Sequence, residues 1–178
     1  MTNYIVLTGG PGSGKSTVLE ALGRLGYNCS EETGRKIIRQ ELEHSGHALP
    51  WQNKQAFRDR MLDEELRAHA LHRHHSGPTF FDRGIIDTYG YSLLEGLEPT
   101  HALLSSCSSL RYGQVFIFPP WREIFIQDAE RKQDFAEAQR TYEAMHKAYG
   151  DFGYELIRVP FAAVEERVRF ILRELDGK

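Results

Sequence analysis

Cysteine is scarce: the chain holds two, Cys29 and Cys107. They stand far apart and form no ligand pattern, so neither a disulfide framework nor a cysteine metal site is expected to hold the fold. They read as idle thiols of a reducing cytosol. Long hydrophobic runs are missing too. None approaches the roughly 20 apolar residues that cross a bilayer, so no membrane association is expected. The N-terminus enters Tyr4-Ile5-Val6-Leu7 almost at once, with no charged lead and no cleavage site, and predicts no secretory signal. Nor is there an excess of positive charge: 22 Lys and Arg face 25 Asp and Glu, for a formal net charge of −3. A duplex binder shows a basic face, and no Lys/Arg run supplies one, so nucleic acid is not an expected partner. No repeat, low-complexity tract or linker divides the chain. One cytoplasmic domain over residues 1–178, with a full hydrophobic core, is the expectation; its oligomeric state is not written in the sequence.

What is present is an alternation of strand and helix patterns. Apolar, β-rich runs at residues 3–8, 27–29, 78–82, 115–118 and 155–159 read as strands. Helical spacing over residues 16–25, 32–43, 53–74, 87–97, 103–110, 134–149 and 164–175 reads as helices, the fifth weakened by serines. The fold class is α/β, a parallel sheet with helices on both faces. Ligands of such sheets bind beyond the carboxyl ends of the strands. Thr8, Asp82 and Pro119 fall at such ends and should share one rim.

Between the first strand and the first helix lies Gly9-Gly10-Pro11-Gly12-Ser13-Gly14-Lys15-Ser16-Thr17. It matches the phosphate-binding P-loop in full. Holding a polyphosphate requires several backbone N–H groups to turn inward together, and glycine permits the backbone angles this needs. The following helix aims its positive end at the same place. Lys15 is expected to bridge β- and γ-phosphate oxygens, Ser16 to bind Mg²⁺ and Thr17 to donate to the α-phosphate. Gly10, Pro11, Gly12, Ser13 and Gly14 complete the cradle.

Other residues converge on the same rim. Asp82 ends a buried strand, where it serves either to hold Mg²⁺ or to cap the next helix. Arg83 serves a transferred phosphoryl group or a surface ion pair. A carboxylate of Glu31-Glu32 stands over the rim as a proton acceptor, or favours the first turn of a helix. The stretch of residues 121–135 carries Arg122, Arg131 and Lys132. It reads as an arginine-bearing lid over about 121–134 or as a solvated helix. His72-Arg73-His74-His75 end a helix, and a helix C-terminus explains those cations without a metal. A guanine reader is missing, because Asn53-Lys54 runs on into Gln55-Ala56. The Asp87-Thr88-Tyr89-Gly90 match to a switch pattern does not follow a strand and reads as chance. Trp51, Tyr89 and Tyr91 are candidates for an acceptor pocket, and Phe161 for stacking on a base.

These pieces together resemble the small AAA-like ATPase family grouped with the nicotinamide riboside kinase domain of the bifunctional NAD regulator. The resemblance runs almost end to end, through "VLTGGPGSGKST", "EETGR", "ALPW", "FFDRGIIDTYGY", "RYGQVFIFPPW", "DAERKQDF", "YELIRVP" and "VEERVRFIL". It implies a three-layer P-loop core, a five-stranded parallel sheet of order 2-3-1-4-5. It implies Lys15 and Ser16 on nucleotide and metal, Glu32 and Asp82 as the acidic residues of the site, and Arg83 and Arg131 around the phosphates. The Glu-x-x-Arg pattern of the family matches Glu32 and Arg35, which selects Glu32 over Glu31. The expected function is that of a Mg-ATP-binding kinase acting on a small metabolite such as a nucleoside, a nucleotide or a nicotinamide ribonucleoside. The alternative is an ATPase or nucleotide-dependent switch that acts through a partner.

Overall fold

The computed structural model describes residues 3–125 and 134–177. Its strands are β1 (Tyr4–Gly9), β2 (Asn28–Ser30), β3 (Thr79–Asp82), β4 (Gln114–Phe118) and β5 (Leu156–Arg158). They form one five-stranded sheet in the order β2-β3-β1-β4-β5, and every pairing is parallel. The helices are α1 (Lys15–Arg24), α2 (Thr33–Glu43), α3 (Lys54–Leu71), α4 (Ile85–Glu95), α5 (His101–Ser109), α6 (Phe135–Asp151) and α7 (Val164–Asp176), with one 3₁₀ turn at Arg122–Ile124. Sheet order and layers are those the resemblance implies.

The two faces follow from the period-two alternation of side chains along a strand. On β1, Tyr4 and Val6 point to one face and join Phe81, Ile85, Ile86, Leu103, Val115 and Tyr149. Ile5 and Leu7 point to the other and join Val18, Leu22, Phe80, Phe116, Val168 and Ile171. Burying β1 on both sides explains its unbroken apolar run.

Boundaries differ from the sequence reading where polar groups decide them. α4 begins at Ile85, two residues before Asp87, because the Asp87 carboxylate reaches back to the Gly84 N–H at 2.9 Å. α5 forms despite its serines: the Thr100 hydroxyl caps its start, and Ser108 and Ser109 return their hydroxyls to carbonyls one turn earlier. α3 stops at Leu71, leaving the histidine cluster mostly outside it. Among the described residues no helix is long and apolar enough to cross a membrane.

Register sets the rim. Leu7 lies opposite Asp82 and Gly9 opposite Phe118, so the ends of β1, β3 and β4 are level. Gly9 makes the turn into the loop at φ +132, where a Cβ would stand 2.4 Å from the Phe118 carbonyl oxygen. No other residue fits that approach.

Candidate active site

Gly9 to Ser16 carry the chain from the end of β1 into α1. Gly14 is the N-cap of α1 in the left-handed conformation, φ 83 and ψ 21, which aims the first turn of the helix at the loop's concavity. Ser13 is buried and donates its hydroxyl to Gly10 O at 2.9 Å. Lys15 is buried as well. Its Nζ donates to Gly10 O at 2.9 Å and Gly9 O at 3.3 Å, so the ammonium is held inside the curl of the loop. Burial lowers its pKa to about 8, with the like charge of Arg83 adding to this and Asp82, Glu32 and Asp87 opposing it. Ser16 and Thr17 are exposed on the first turn of α1. Thr17 donates to Gly14 O at 2.9 Å, while the Ser16 hydroxyl makes no hydrogen bond to another described residue.

Asp82 ends β3 and does not cap α4, whose N-cap is Gly84. Its side chain is almost fully buried, at 5% exposure, and Oδ1 has no hydrogen-bond partner among the described residues. Burial raises its pKa, and the neighbouring Lys15 charge opposes that. Arg83 follows with φ 73, a left-handed backbone that costs a non-glycine residue about 1–2 kcal/mol. That turn points the guanidinium across the rim, where Nε lies 3.5 Å from Glu32 Oε1 and Nη1 lies 3.2 Å from Asp87 Oδ1. The surrounding carboxylates raise the pKa of Arg83 against the effect of burial, so it is a fixed positive charge.

Glu32 stands at the N-cap of α2 but makes no cap hydrogen bond. Its carboxylate instead pairs with Arg35 at 3.0 Å and with Arg83. Burial pushes its pKa up, and Arg83, Lys15 and Arg35 outweigh that and hold it low, so Glu32 is ionised. The loop after β1, the end of β2 and the end of β3 thus bring Lys15, Glu32, Asp82 and Arg83 within electrostatic reach of one another.

A family model described as "AAA domain" matches residues 4–167 of this chain. The chain belongs to the AAA-domain family. No curated protein matches the sequence. Among solved structures, this AAA-domain protein is similar to a deoxyadenosine kinase from M. mycoides with products dCMP and a flexible dCDP bound. The TM-score is 0.71 and identity 15%, over 98% of this chain and 100% of that one. It is also similar to the NadR protein in complex with NR, with a TM-score of 0.73 and 18% identity over 98% of this chain and 50% of that one. A second NadR structure, in complex with NAD and AMP-PNP, gives 0.70 and 17% over 98% and 49%. The AAA-domain chain therefore spans about half the length of the NadR chains it matches. These likenesses place it in the P-loop kinase fold.

Not every residue singled out from the sequence gathers at the rim of this AAA-domain protein. Arg131 and most of the expected lid lie outside the described residues. Arg122 sits over the Phe135 ring at 4.3 Å. Trp51 is mostly exposed, and Tyr89 turns to Asp151 and Phe152. Tyr91 packs on Phe57, and its buried hydroxyl has no partner among the described residues. Phe161 pairs with Trp121, ring centroids 5.3 Å apart.

Two residues of the site were not assigned to it from the sequence. Asp87, set aside as a chance match, accepts from Thr8 Oγ1 at 2.5 Å, Arg83 Nη1 at 3.2 Å, Gly84 N at 2.9 Å and Tyr149 OH at 2.6 Å. It fastens Arg83 to β1 and α6. Arg167 of α7 reaches the loop itself, donating to Ser13 O at 3.3 Å.

Proposed function

We propose that the chain binds Mg-ATP at the P-loop and transfers the γ-phosphoryl group to a hydroxyl of a small metabolite, of the nucleoside, nucleotide or nicotinamide ribonucleoside kind. The observation that carries this reading is the meeting of Lys15, Asp82, Arg83 and Glu32 at the mouth of the loop. Phosphoryl transfer asks the protein for positioning and for cations around spread negative charge more than for covalent chemistry. The shared fold with a deoxyadenosine kinase and with NadR favours an acceptor of that class.

In this reading Lys15 leaves the loop carbonyls and turns to β- and γ-phosphate oxygens. The acceptor oxygen forms its bond to the γ-phosphorus as the bond to the bridging oxygen of ADP breaks. Glu32, ionised and partly exposed, takes the hydroxyl proton. Arg83 faces the transferring group, held by Glu32 and Asp87. Mg²⁺ fits the residues present: among the described residues Asp82 offers a buried oxygen without a partner, and Ser16 offers an exposed hydroxyl on the first turn of α1. Among the described residues no group of three or more His, Cys, Asp or Glu is arranged to hold a metal unaided, which suits an ion that arrives with phosphates and keeps its waters. When bound, the ion neutralises phosphate oxygens. Residues 1–178 act as one kinase-like unit in this reading, with Arg131 and the lid of about 121–134 supplying further positive charge.

The test is a screen of nucleosides, nucleotides and small alcohols with ATP and Mg²⁺, counting ADP with and without each candidate. Acceleration by at least one acceptor is expected. ADP release that none of them accelerates would favour an ATPase or switch instead.

A further inference from the structure

α7 buries a charge. Val168 and Ile171 pack the helix on the sheet with Val164 and Leu172 against them, and Arg167 takes a position on the same face, only 4% exposed. Its Nη1 donates to Ser13 O, and its guanidinium carbon lies 5.6 Å from the centre of the Trp121 ring. A Cβ on Gly14 would stand 2.6 Å from Nη1, so the guanidinium rests directly on the last glycine of the loop. Among the described residues, the buried Nε has no partner and no carboxylate pairs with Arg167. Burial lowers its pKa. A buried arginine is ordinarily paired, because an uncompensated charge away from water is costly. This one has neighbours suited to a ligand: the phosphate loop, through Ser13 and Gly14, and Trp121, itself paired with Phe161.

We propose that Arg167 is a binding residue for the nucleotide, a second cation of the P-loop that pairs with the phosphate nearest the base. The inference rests on the P-loop reading above. Lys15 serves the start of the loop, through Gly9 and Gly10. Arg167 stands at its other end, beside Gly14 and near Trp121, which pairs with Phe161. A base on the rings puts its first phosphate beside this guanidinium, whose fork geometry suits phosphate oxygens. The outer phosphates then run toward Lys15. The ligand class is a nucleoside 5′-phosphate of any length, since the first phosphate is common to all.

Calorimetric titration of AMP, Mg-ADP and Mg-ATP into wild type, R167M and R167K tests this, with thermal melts of the free proteins. R167M keeps the apolar stem and removes the charge. It should weaken all three ligands alike, by about ten- to hundred-fold, as expected for a charge-assisted hydrogen bond. R167K should recover part of the loss. The free R167M protein should melt no lower than wild type, because the substitution removes an unpaired buried charge. A loss confined to Mg-ATP would overturn the assignment to the first phosphate. Unchanged affinity in R167M would overturn the role itself. If R167M fails to fold, R167Q, which also removes the charge, takes its place, and unchanged affinity for AMP in that variant would overturn the role. Wild type that binds none of the three would instead sink the P-loop reading beneath it.

Discussion

Glu65 shows how much one buried proton weighs at the residue scale. It lies on α3 at 4% exposure, and burial pushes its pKa up to about 8. A hydrogen bond from Thr33 opposes the shift, and the negative charges of Asp87 and Asp82 add to it. In the unfolded chain a glutamate titrates near ~4.3. Between about pH 5 and 8 the folded state therefore holds a proton that the unfolded state has released. Stability from this group is greatest at low pH and falls as pH rises through that window, by at most ~1.4 kcal/mol per pH unit. Urea unfolding of wild type and E65Q from pH 5 to 9 should show the wild-type curve sloping downward relative to the variant. Parallel curves would contradict the assignment. The legibility of single residues follows the same local logic. The P-loop could be read because its chemistry demands contiguous residue types. Glu32 and Asp82 could be found because they follow strands. Arg167 could not, since "VEERVRF" looks like a solvated charge pattern. The available signal was its place three residues after Val164 and four before Ile171, on the apolar stripe. Glu65 sits among charged neighbours on α3 and gave no signal at all.

Among the elements, α4 is tied in by one carboxylate. Asp87 takes hydrogen bonds from Thr8 at the end of β1, from Tyr149 on α6, and from Arg83 and Gly84 at the start of its own helix. An asparagine there would turn an amide N–H₂ toward donors that need an acceptor. D87N should lose about 2–4 kcal/mol of stability in urea unfolding. Y149F, which removes one donor and leaves the carboxylate, should lose about 1–2 kcal/mol. Equal, negligible losses would show that this junction carries little. The strands and helices were legible because periods of 2 and 3.6 are written in the apolar residues. Their ends were less so, because a distant partner can settle an end. α4 gains two residues through Asp87, and α5 depends on the Thr100 cap.

Across the molecule, the parallel register levels the ends of β1, β3 and β4, and the chemistry of the site depends on that shared edge. Segments distant in sequence meet there: the loop at residues 9–16, Glu32, Asp82-Arg83 and Arg167. The sheet order could be anticipated from the resemblance, whereas the descent of α7 onto the loop could not, because no sequence pattern fixes which helix face meets which loop. The central claim is that this edge holds a magnesium–nucleoside triphosphate through Lys15. Equilibrium binding of Mg-ATP to wild type and K15A, with circular dichroism confirming the fold of both, addresses it most directly. Wild type should bind saturably, and K15A should lose roughly ten- to hundred-fold in affinity, for removal of a charge-assisted bond, with its fold unchanged. No binding by wild type, or equal binding by both proteins, would contradict it.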